Sequence, residues 1–335
     1  MLLGGNGLLG HNVLKQLLQQ GHVVHALLRN VSALCTEVFP NIDSLTLFEG
    51  SLLDDRMLRE AAQGCEAIIN CAGVTDMSLL HYEDYLPVNR DLCRRLTQLM
   101  EHLHITRLVH TSTANTIGYG TPSQPADEQQ PMQPPFSRSY YGLSKREGEG
   151  ILIQAAKLHP SWHVIVVNPG FMVGAYDTKP SSGTLLLTGY RKRLMPVPKG
   201  GKSFIHVQDA AVAIVNALEM GDNGQRYLLT GHNLTLAEFY RLQSKVCGYH
   251  QWIVSLPNFL LGLAGWLGDL LRCCGVRTQL STRNVRQLMV REYYDNAVAR
   301  SDLAMPQTPI EQAINDFFIW HRRRITPAER CLYNG

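Results

Sequence analysis

Tyr141 and Lys145 lie four residues apart, a spacing that places two side chains on the same face of a helix. A phenol with a pKa of about 10 is a poor base at neutral pH, but a neighbouring ammonium favours the phenolate. Lowering that pKa by about three units takes roughly 4 kcal/mol, which close and partly buried charges can supply. Chance predicts about 0.3 such pairs among 13 Tyr and eight Lys, so the surrounding residues must decide whether the pair is functional.

A hydroxyl just beyond an apolar segment is the second candidate group. Residues 107–110 indicate a strand, and Thr113 stands shortly after it. At the carboxyl end of a parallel strand, a side chain points into the ligand crevice of a doubly wound sheet. We therefore expect Thr113 to donate to a substrate oxygen beside Tyr141. Asn89, in a Val-Asn-Arg pattern, fits a helix beneath this strand.

A glycine-rich segment, Gly-Gly-Asn-Gly-Leu-Leu-Gly at residues 4–10, precedes the first helix. Gly4, Gly7 and Gly10 allow a tight turn, close approach of a pyrophosphate to the backbone, and close packing of helix on strand. The following helix N-terminus offers free N–H groups and a positive dipole. Alone the motif is weak, because glycine-rich turns are common. Residues 1–3 make a strand shorter than the usual five or so, so we expect further residues upstream.

The end of the second strand indicates which dinucleotide binds. Residues 23–28 form an apolar strand, and Arg29 follows it. Folds that bind NAD normally carry Asp or Glu here for the ribose 2′-hydroxyl, whereas Arg accommodates a 2′-phosphate. Arg29 therefore predicts NADP(H) in preference to NAD(H). The alternative is that Arg29 is simply a solvent-exposed residue at the end of a strand, with no role in cofactor binding.

The arrangement of apolar segments predicts an α/β fold with a Rossmann-like, doubly wound parallel sheet. Strands that are apolar on both faces alternate with helices, as such a sheet requires. The strands are expected at residues 22–28, 44–48, 67–71, 107–110 and 163–167. The helices are expected at residues 12–20, 54–63, 84–104 and 139–157.

The chain divides into a dinucleotide-binding part and a smaller, mostly helical lid over the substrate. The NAD(P)-binding Rossmann domain is expected at residues 1–170, with further sheet elements around 203–230. The substrate-binding part is expected at residues 171–325, interleaved with the sheet. The lid patterns include a basic helix ending near Arg193, a helix at 208–220, a strand at 226–230, a helix at 235–247 with Thr235 and Glu238 in a capping box, and mostly helical segments from 256 onward.

Composition limits the classes of partner. The 335 residues are 45% hydrophobic and carry a net charge of +3, which gives no electrostatic case for nucleic acid. Eight cysteines lack C-x-x-C spacing, which argues against a metal or redox site. Free thiols and the absence of a signal-peptide pattern predict a cytoplasmic protein. We expect small-molecule substrates.

One strongly apolar segment, residues 256–271, raises the question of membrane contact. It is shorter than the roughly 20 residues that a spanning helix needs, and it contains Asp269. The segment therefore predicts a buried or substrate-covering helix, and membrane association is not expected. An amphipathic helix lying on a membrane surface is the alternative.

The ordered motifs GGNGLLG, INCAG, PVNRD, HTSTANTIG, YYGLSK, NPGFMVG and FIHVQD identify a resemblance. Over about residues 1–320, the chain resembles the extended short-chain dehydrogenase/reductase superfamily, also called the NAD-dependent epimerase/dehydratase family. The segments VVHALLRN and NPGFMVGAYDTKPSSG look most like its dihydroflavonol reductase and 3β-hydroxysteroid dehydrogenase branch.

The resemblance implies a role for each candidate group. Tyr141 would be the acid/base, Lys145 would bind the nicotinamide ribose and tune Tyr141, and Thr113 would orient the substrate oxygen. Asn89 would be a structural or proton-relay position. The family also suggests a homodimer. The residues expected to line the cofactor are Gly4, Asn6, Gly7, Leu8, Leu9, Gly10, Arg29, Ser51, Leu52, Ala72, Gly73, Tyr141, Lys145, Pro169, Gly170 and Val173.

The sequence departs from the family pattern at three positions. Ser51 follows the third strand, where the family often has Asp near adenine. Ala-Asn follows Thr113, where nucleotide-sugar dehydratases carry an acidic residue, so no acid is available for elimination of water. Lys202 stands where sugar-nucleotide enzymes commonly have Arg, which weakens the case for a diphosphate substrate.

Three functions remain open from these residues. The leading hypothesis is an NADP-dependent oxidoreductase that interconverts a ketone and an alcohol, with Tyr141 handling the proton. The second is a nucleotide-sugar epimerase that retains its cofactor and shows no net redox change. The third is a non-catalytic sensor of dinucleotides on the same fold. Such sensors often lack the Tyr–Lys pair, so its presence favours an enzyme.

Overall fold

The computed structural model describes residues 1–34, 39–178 and 181–324, and its centre is a seven-stranded parallel sheet. The strands are β1 (Leu2–Leu3), β2 (Val24–Leu28), β3 (Leu45–Glu49), β4 (Ala67–Asn70), β5 (Arg107–Thr111), β6 (His163–Pro169), β7 (Phe171–Val173), β8 (Leu194–Val197), β9 (Gly201–His206), β10 (Arg226–Leu229), β11 (His232–Thr235) and β12 (Trp252–Ser255).

Across the main sheet the strand order is β10-β6-β5-β4-β1-β2-β3. The order reverses between β1 and β4, which both pair in parallel with their neighbours. In open α/β sheets, ligands bind in the crevice at such a reversal. The predicted Rossmann-like, doubly wound sheet is therefore confirmed.

Helices cover both faces of this sheet. They are α1 (Leu8–Gln19), α2 (Asp55–Ala62), α3 (Leu92–Leu103), α4 (Tyr140–Leu158), α5 (Gly183–Gly189), α6 (Val207–Asn216), α7 (Leu236–Val246), α8 (Asn258–Cys273), α9 (Thr282–Gln287), α10 (Ala297–Asp302) and α11 (Ile310–Arg324). Adjacent residues of β5 point to opposite faces, since Val109 packs with α1 and α6 whereas Leu108 packs with α2, α3 and α4. This alternation explains why the strands are apolar throughout.

The later part of the chain forms a second layer with its own apolar core. A sheet of β11-β9-β7 and a pair of β8 with β12 hold α5, α7 and α11 around residues such as Phe204, Phe239 and Phe317. Between β9 and β11 the chain passes back through the main sheet as β10. The division near residue 170 stays a prediction, and residue 325, at the predicted end of the lid, lies outside the described residues, as do Cys35 and Cys331.

Local signals placed several helix ends correctly. Thr235 caps α7, and its side chain and that of Glu238 form the expected capping box. Asp54 caps α2 by accepting from the backbone N–H groups of Arg56 and Met57. The basic helix predicted to end near Arg193 is wrong in its extent, because α5 ends at Gly189. The sequence also missed β8 and β12, which are short and lie away from the main sheet.

Candidate active site

The glycine-rich loop connects β1 to α1 at the point where the strand order reverses. Gly7 is the N-cap of α1, and among the described residues no side chain caps this helix. The first turn also contains no acidic residue. The free backbone N–H groups and the helix dipole therefore suit an anion such as a pyrophosphate.

Two glycines hold this loop tightly against the end of β4. Gly4 has a φ of 79°, and a Cβ there would lie 2.7 Å from the backbone nitrogen of Ala72. A Cβ on Gly10 would lie 2.0 Å from the oxygen of Gly4. Gly7 is exposed, and among the described residues a Cβ there would have that oxygen alone nearby, at 3.5 Å. The loop is thus closed on the sheet side and open on the side where a ligand would approach.

Helix α4 carries Tyr141, Lys145 and Glu149 at successive turns. Ser139 caps the helix, and its Oγ accepts from the backbone N–H of Gly142 at 3.4 Å. The spacing of four residues places the three titratable side chains along one face. Lys145 is 3% exposed and Glu149 is fully buried, whereas Tyr141 is partly exposed.

Thr113 meets Tyr141 from the end of β5. It is the N-cap of a short 3-10 helix, Ala114–Thr116, and its side chain lies close enough to Tyr141 to affect the pKa of the phenol. Burial raises the pKa of Tyr141 above its ordinary value. The hydroxyl of Thr113 opposes this rise, and the negative charge of Glu149 adds to it. Tyr141 is therefore protonated at neutral pH and able to donate.

Lys145 is anchored to the same strand end. Its Nζ donates to the backbone oxygen of Thr111 at 2.6 Å. Burial lowers the pKa of Lys145, whereas nearby thiols and Glu149 raise it. A Cβ on Gly73 would lie 3.5 Å from Nζ, so the ammonium also faces the backbone beyond β4.

Asn89 lies in a π-helical segment, Pro87–Asp91, and is fully buried. Its Oδ1 accepts from the backbone N–H of Val74 at 2.8 Å. Its Nδ2 donates to the oxygen of Val74 and to the Oγ of Ser144, each at 3.0 Å. These contacts connect the segment after β4 to α4. They support a structural role for Asn89 rather than a role as a proton relay.

Glu149 is the centre of a buried polar network. Its carboxylate accepts from the Oγ1 of Thr116 at 2.5 Å and from the Nδ2 of Asn168 at 2.6 Å. Arg146, one turn earlier, adds an ion pair at 3.1 Å. The network ties α4 to the ends of β5 and β6. Sequence reasoning missed Glu149, although its spacing of four residues from Lys145 was a readable signal.

A small cavity lies beside the N-terminus of α4. Arg272 and Asn284, from the lid, donate to backbone oxygens of residues 77–79. The guanidinium of Arg283 lies over the ring of Tyr140, 3.6 Å from its centroid. The lid thereby closes one side of the cavity. The lining residues are Met77, Leu79, Tyr85, Ser139, Tyr140, Tyr141, Arg272, Arg283 and Asn284.

Most of these lining residues were not singled out from the sequence. Tyr140 had a local signal, because it directly precedes Tyr141. Arg272 had none, because the backbone oxygen of Leu79 that it contacts lies 193 residues away along the chain. Arg283 had no local signal either, because Tyr140, which it contacts, is also distant along the chain.

Arg29 follows β2 and is exposed, as the prediction of a phosphate contact requires. Glu49 ends the neighbouring strand β3, and its Oε2 accepts from the backbone N–H of Val31 at 3.4 Å. An acidic group therefore lies on the same sheet edge. Ser51 is exposed, whereas the side chain of Leu52 is buried.

The other predicted cofactor residues lie on either side of the glycine loop. Asn6 and Leu8 are half-buried and Leu9 is buried. The hydroxyl of Thr178 donates to the oxygen of Asn6 at 3.3 Å, so the segment after β7 reaches this loop. Pro169, Gly170 and Val173 stand at the carboxyl end of β6 and in β7, where Val173 is fully buried.

Comparison with known proteins places the chain in a family. A model of the NAD-dependent epimerase/dehydratase family matches residues 1–230. The chain belongs to this family. It is an NAD(P)-dependent enzyme of the extended short-chain type, as the dehydrogenases, reductases and epimerases among its relatives are.

The matching relatives include members of the branch that the sequence resembles. The sterol demethylase protein B of Methylococcus capsulatus is 26% identical over 97% of this chain and 98% of its own length. A dihydroflavonol 4-reductase-like protein of Synechocystis is 27% identical over 95% of this chain and 92% of its own. The structure of a UDP-glucose 4-epimerase from Thermotoga maritima matches with a TM-score of 0.76 at 18% identity, over 96% of this chain and 98% of that one. At that identity the likeness shows the fold alone.

Proposed function

We propose that the protein is an NADP-dependent oxidoreductase that interconverts a ketone and a secondary alcohol on an apolar small molecule. The observation that carries the proposal is that the side chains of Thr113 and Tyr141 lie next to each other, with Tyr141 facing the cavity under the lid. A substrate oxygen beside both hydroxyls has one group to exchange a proton with and another to orient it.

Tyr141 performs the proton transfer in this proposal. It gives its proton to the carbonyl oxygen during reduction and takes one from the alcohol during oxidation. Burial raises the pKa of Tyr141, which favours the protonated form needed for reduction. Thr113 donates a second hydrogen bond to the same oxygen and stabilises the negative charge that develops on it.

The chain's own residues fit a dinucleotide. The N-terminus of α1 and the loop of Gly4, Gly7 and Gly10 hold the pyrophosphate, and Arg29 accommodates the 2′-phosphate. Lys145 binds the nicotinamide ribose. When bound, the nicotinamide supplies or accepts a hydride. We assign the remaining contacts to the other predicted residues, namely Asn6, Leu8, Leu9, Ser51, Leu52, Ala72, Gly73, Pro169, Gly170 and Val173.

An apolar substrate is supported by the names of two relatives. Met77 and Leu79 add apolar side chains to a cavity lining that is otherwise largely polar. One relative is named as a sterol demethylase protein and another as a dihydroflavonol 4-reductase. A cytoplasmic location and a homodimer stay predictions from the sequence.

Nucleotide-sugar epimerisation is the alternative, and one ion pair argues against it. Lys202 occupies the position where sugar-nucleotide enzymes commonly carry Arg, and its Nζ is paired with the carboxylate of Glu292. Both side chains are largely buried, at 15% and 6% exposed. A paired and buried ammonium is poorly placed to bind a diphosphate, because doing so would leave Glu292 an unpaired buried charge.

Steady-state consumption of NADPH with a panel of ketones tests the proposal. A reductase consumes NADPH in proportion to product, an epimerase leaves the NADPH concentration unchanged while converting a nucleotide sugar, and a sensor only binds the dinucleotide. No 4-keto-6-deoxy sugar should form, since no acidic residue follows Thr113. Epimerisation of a UDP-sugar without net consumption of NADPH would overturn the proposal.

A further inference from the structure

Helix α8 presents its large apolar side chains to solvent. Phe259 is 72% exposed and Trp266 is 60% exposed, so the expectation of a buried helix is wrong for most of this segment. On α8, Arg272 near the C-terminal end of the helix lines the cavity. The other large apolar side chains exposed on α8 are Leu260, Leu263, Leu267, Leu270 and Leu271.

Small residues on the inner face of α8 explain this orientation. Gly265 and Gly268 are the buried residues of the helix. A Cβ on Gly265 would lie 2.9 Å from the Cα of Thr282, and one on Gly268 would lie 2.2 Å from the oxygen of Leu280. Asp269 also faces inward and accepts from the backbone N–H of Thr282 at 3.2 Å. Close backbone packing therefore fixes the helix with its large side chains outward.

The two-stranded sheet before α8 continues the apolar surface. Trp252 of β12 pairs with Leu194 of β8, and Val254 pairs with Pro196. Alternate residues of a strand share a face, and all four of these are exposed, with Trp252 at 73%. We call this face together with the outer side chains of α8 the lid surface.

The two chain segments that contain the lid surface carry mostly basic residues. Residues 186–200 and 251–291 contain nine Lys and Arg but one acidic residue, Asp269. The whole chain has 31 Lys and Arg and 28 Asp and Glu, which leaves 22 basic and 27 acidic residues elsewhere. The exposed cations of the two segments are Arg191, Lys192, Arg193, Lys199, Arg277, Arg286 and Arg291.

We propose that the lid surface binds the surface of an anionic lipid bilayer. A face with Trp, Phe and Leu flanked by Lys and Arg is suited to the boundary between headgroups and acyl chains. The positive charge is complementary to anionic lipids. Within residues 1–34, 39–178 and 181–324, none of the helices has the length and apolar character of a membrane-spanning segment.

A second copy of the chain is a poorer occupant on charge grounds. In a two-fold symmetric pair, the same surface patch lies on both subunits. The cations beside the lid surface would then face one another, which opposes association at close range. An anionic membrane removes this repulsion.

Co-sedimentation with vesicles tests the proposal on the full chain. One set of vesicles contains phosphatidylcholine and phosphatidylglycerol in equal amounts, and the other contains phosphatidylcholine alone. We expect binding to the anionic vesicles that weakens at high salt, and weaker binding to the neutral ones. Absence of binding to the anionic vesicles would overturn the proposal.

Matched variants locate the contact. The double variant Phe259→Gln/Trp266→Gln should weaken vesicle binding by at least about tenfold, because two outward aromatic side chains are lost from the interface. Leu158→Gln is the control, since Leu158 is 67% exposed at the end of α4, away from the lid. Unchanged melting temperature and cofactor affinity show that the double variant is folded. Equal binding by the double variant and the parent chain would contradict the assignment.

A second pair of variants tests the charge. Arg193→Glu should weaken binding to the anionic vesicles by about fivefold or more. Arg56→Glu, on the exposed side of α2, makes the same change of charge away from the lid surface and should leave vesicle binding unchanged.

Light scattering tests whether a second copy of the chain covers the lid surface instead. A stable dimer that dissociates in the Phe259→Gln/Trp266→Gln variant, without vesicle binding by the parent chain, would assign the lid surface to a second copy instead.

Discussion

The Nζ of Lys145 donates a hydrogen bond of 2.6 Å to the backbone oxygen of Thr111, and this contact sets the spacing of the site. Lys145 lies one helical turn after Tyr141, and Thr111 lies two residues before Thr113. The bond therefore joins α4 to the end of β5 next to both hydroxyls. The lysine acts as a positioning group as well as a candidate ligand of the cofactor.

Replacing this lysine should affect two measurements together. In Lys145→Met, the bond to Thr111 and the positive charge are both lost, so turnover should fall by about 10²-fold or more and the affinity for NADPH should also fall. Lys157→Met, at the exposed end of the same helix, is the control. A variant with lower turnover but parental cofactor affinity would show that Lys145 does not contact the dinucleotide.

Removing the hydroxyl of Tyr141 should separate chemistry from binding. Tyr141→Phe keeps the ring in place, so the melting temperature and NADPH affinity should stay close to the parent values. Turnover should fall by about 10²–10⁴-fold, which is typical of lost general acid catalysis. Tyr82→Phe loses a hydroxyl bonded to Glu147 outside the cavity and serves as the control. Parental turnover in Tyr141→Phe would remove the catalytic assignment.

Glu149 should influence the pH dependence of reduction. Its charge raises the pKa of Tyr141, so Glu149→Gln lowers that pKa. Reduction needs protonated Tyr141, and its rate should therefore begin to decline at a lower pH than in the parent enzyme. The buried network also loses an ion pair with Arg146, which should cost about 1–3 kcal/mol of stability. The readouts are the pH–rate profile and the melting curve.

The control for this prediction is Glu147→Gln. Glu147 lies on the same helix but is exposed, and it pairs with Arg90. Its replacement should leave the alkaline side of the pH–rate profile unchanged. An unchanged profile in Glu149→Gln as well would show that this carboxylate does not act on the proton donor.

Arg29 should determine the choice between the two dinucleotides. We expect the parent protein to bind NADPH more tightly than NADH, because the guanidinium pairs with the 2′-phosphate. Arg29→Ala should reduce NADPH affinity by about 10- to 100-fold and leave NADH affinity nearly unchanged. Titration followed by cofactor fluorescence measures both constants. Equal dissociation constants for NADPH and NADH in the parent protein would contradict the prediction. The nearby carboxylate of Glu49 would then be the next residue to replace.

Gly4 should be sensitive to a single methyl group. Gly4→Ala places a Cβ at a positive φ and within 2.7 Å of the backbone of Ala72. Gly21 has a similar φ, of 83°, but no atom of the described residues lies within 4 Å of the added carbon, so Gly21→Ala measures the strain alone. The strain should cost about 1–3 kcal/mol in each variant, and Gly4→Ala should cost more because of the collision. Equal melting temperatures of the two variants would show that the loop shifts away from Ala72 without an additional loss of stability.

Features that depend on neighbouring residues were readable from the sequence alone. The capping box of Thr235 and Glu238 and the glycine turn before α1 are local, because each is defined within a few positions of the chain. The alternation of apolar strands with helices predicted the doubly wound sheet for the same reason. The shared helix face of Tyr141 and Lys145 followed from helical spacing.

Contacts between distant segments were decided by the tertiary structure. The lid arginines reach the cavity from far along the chain, and Lys202 is paired with Glu292, 90 residues away. No local pattern encodes such pairs, because they depend on how the lid packs against the sheet. The orientation of α8 was also decided by the tertiary structure. Its composition predicted burial, but Gly265 and Gly268 allow the backbone itself to pack inward, and that close approach leaves the large side chains outside.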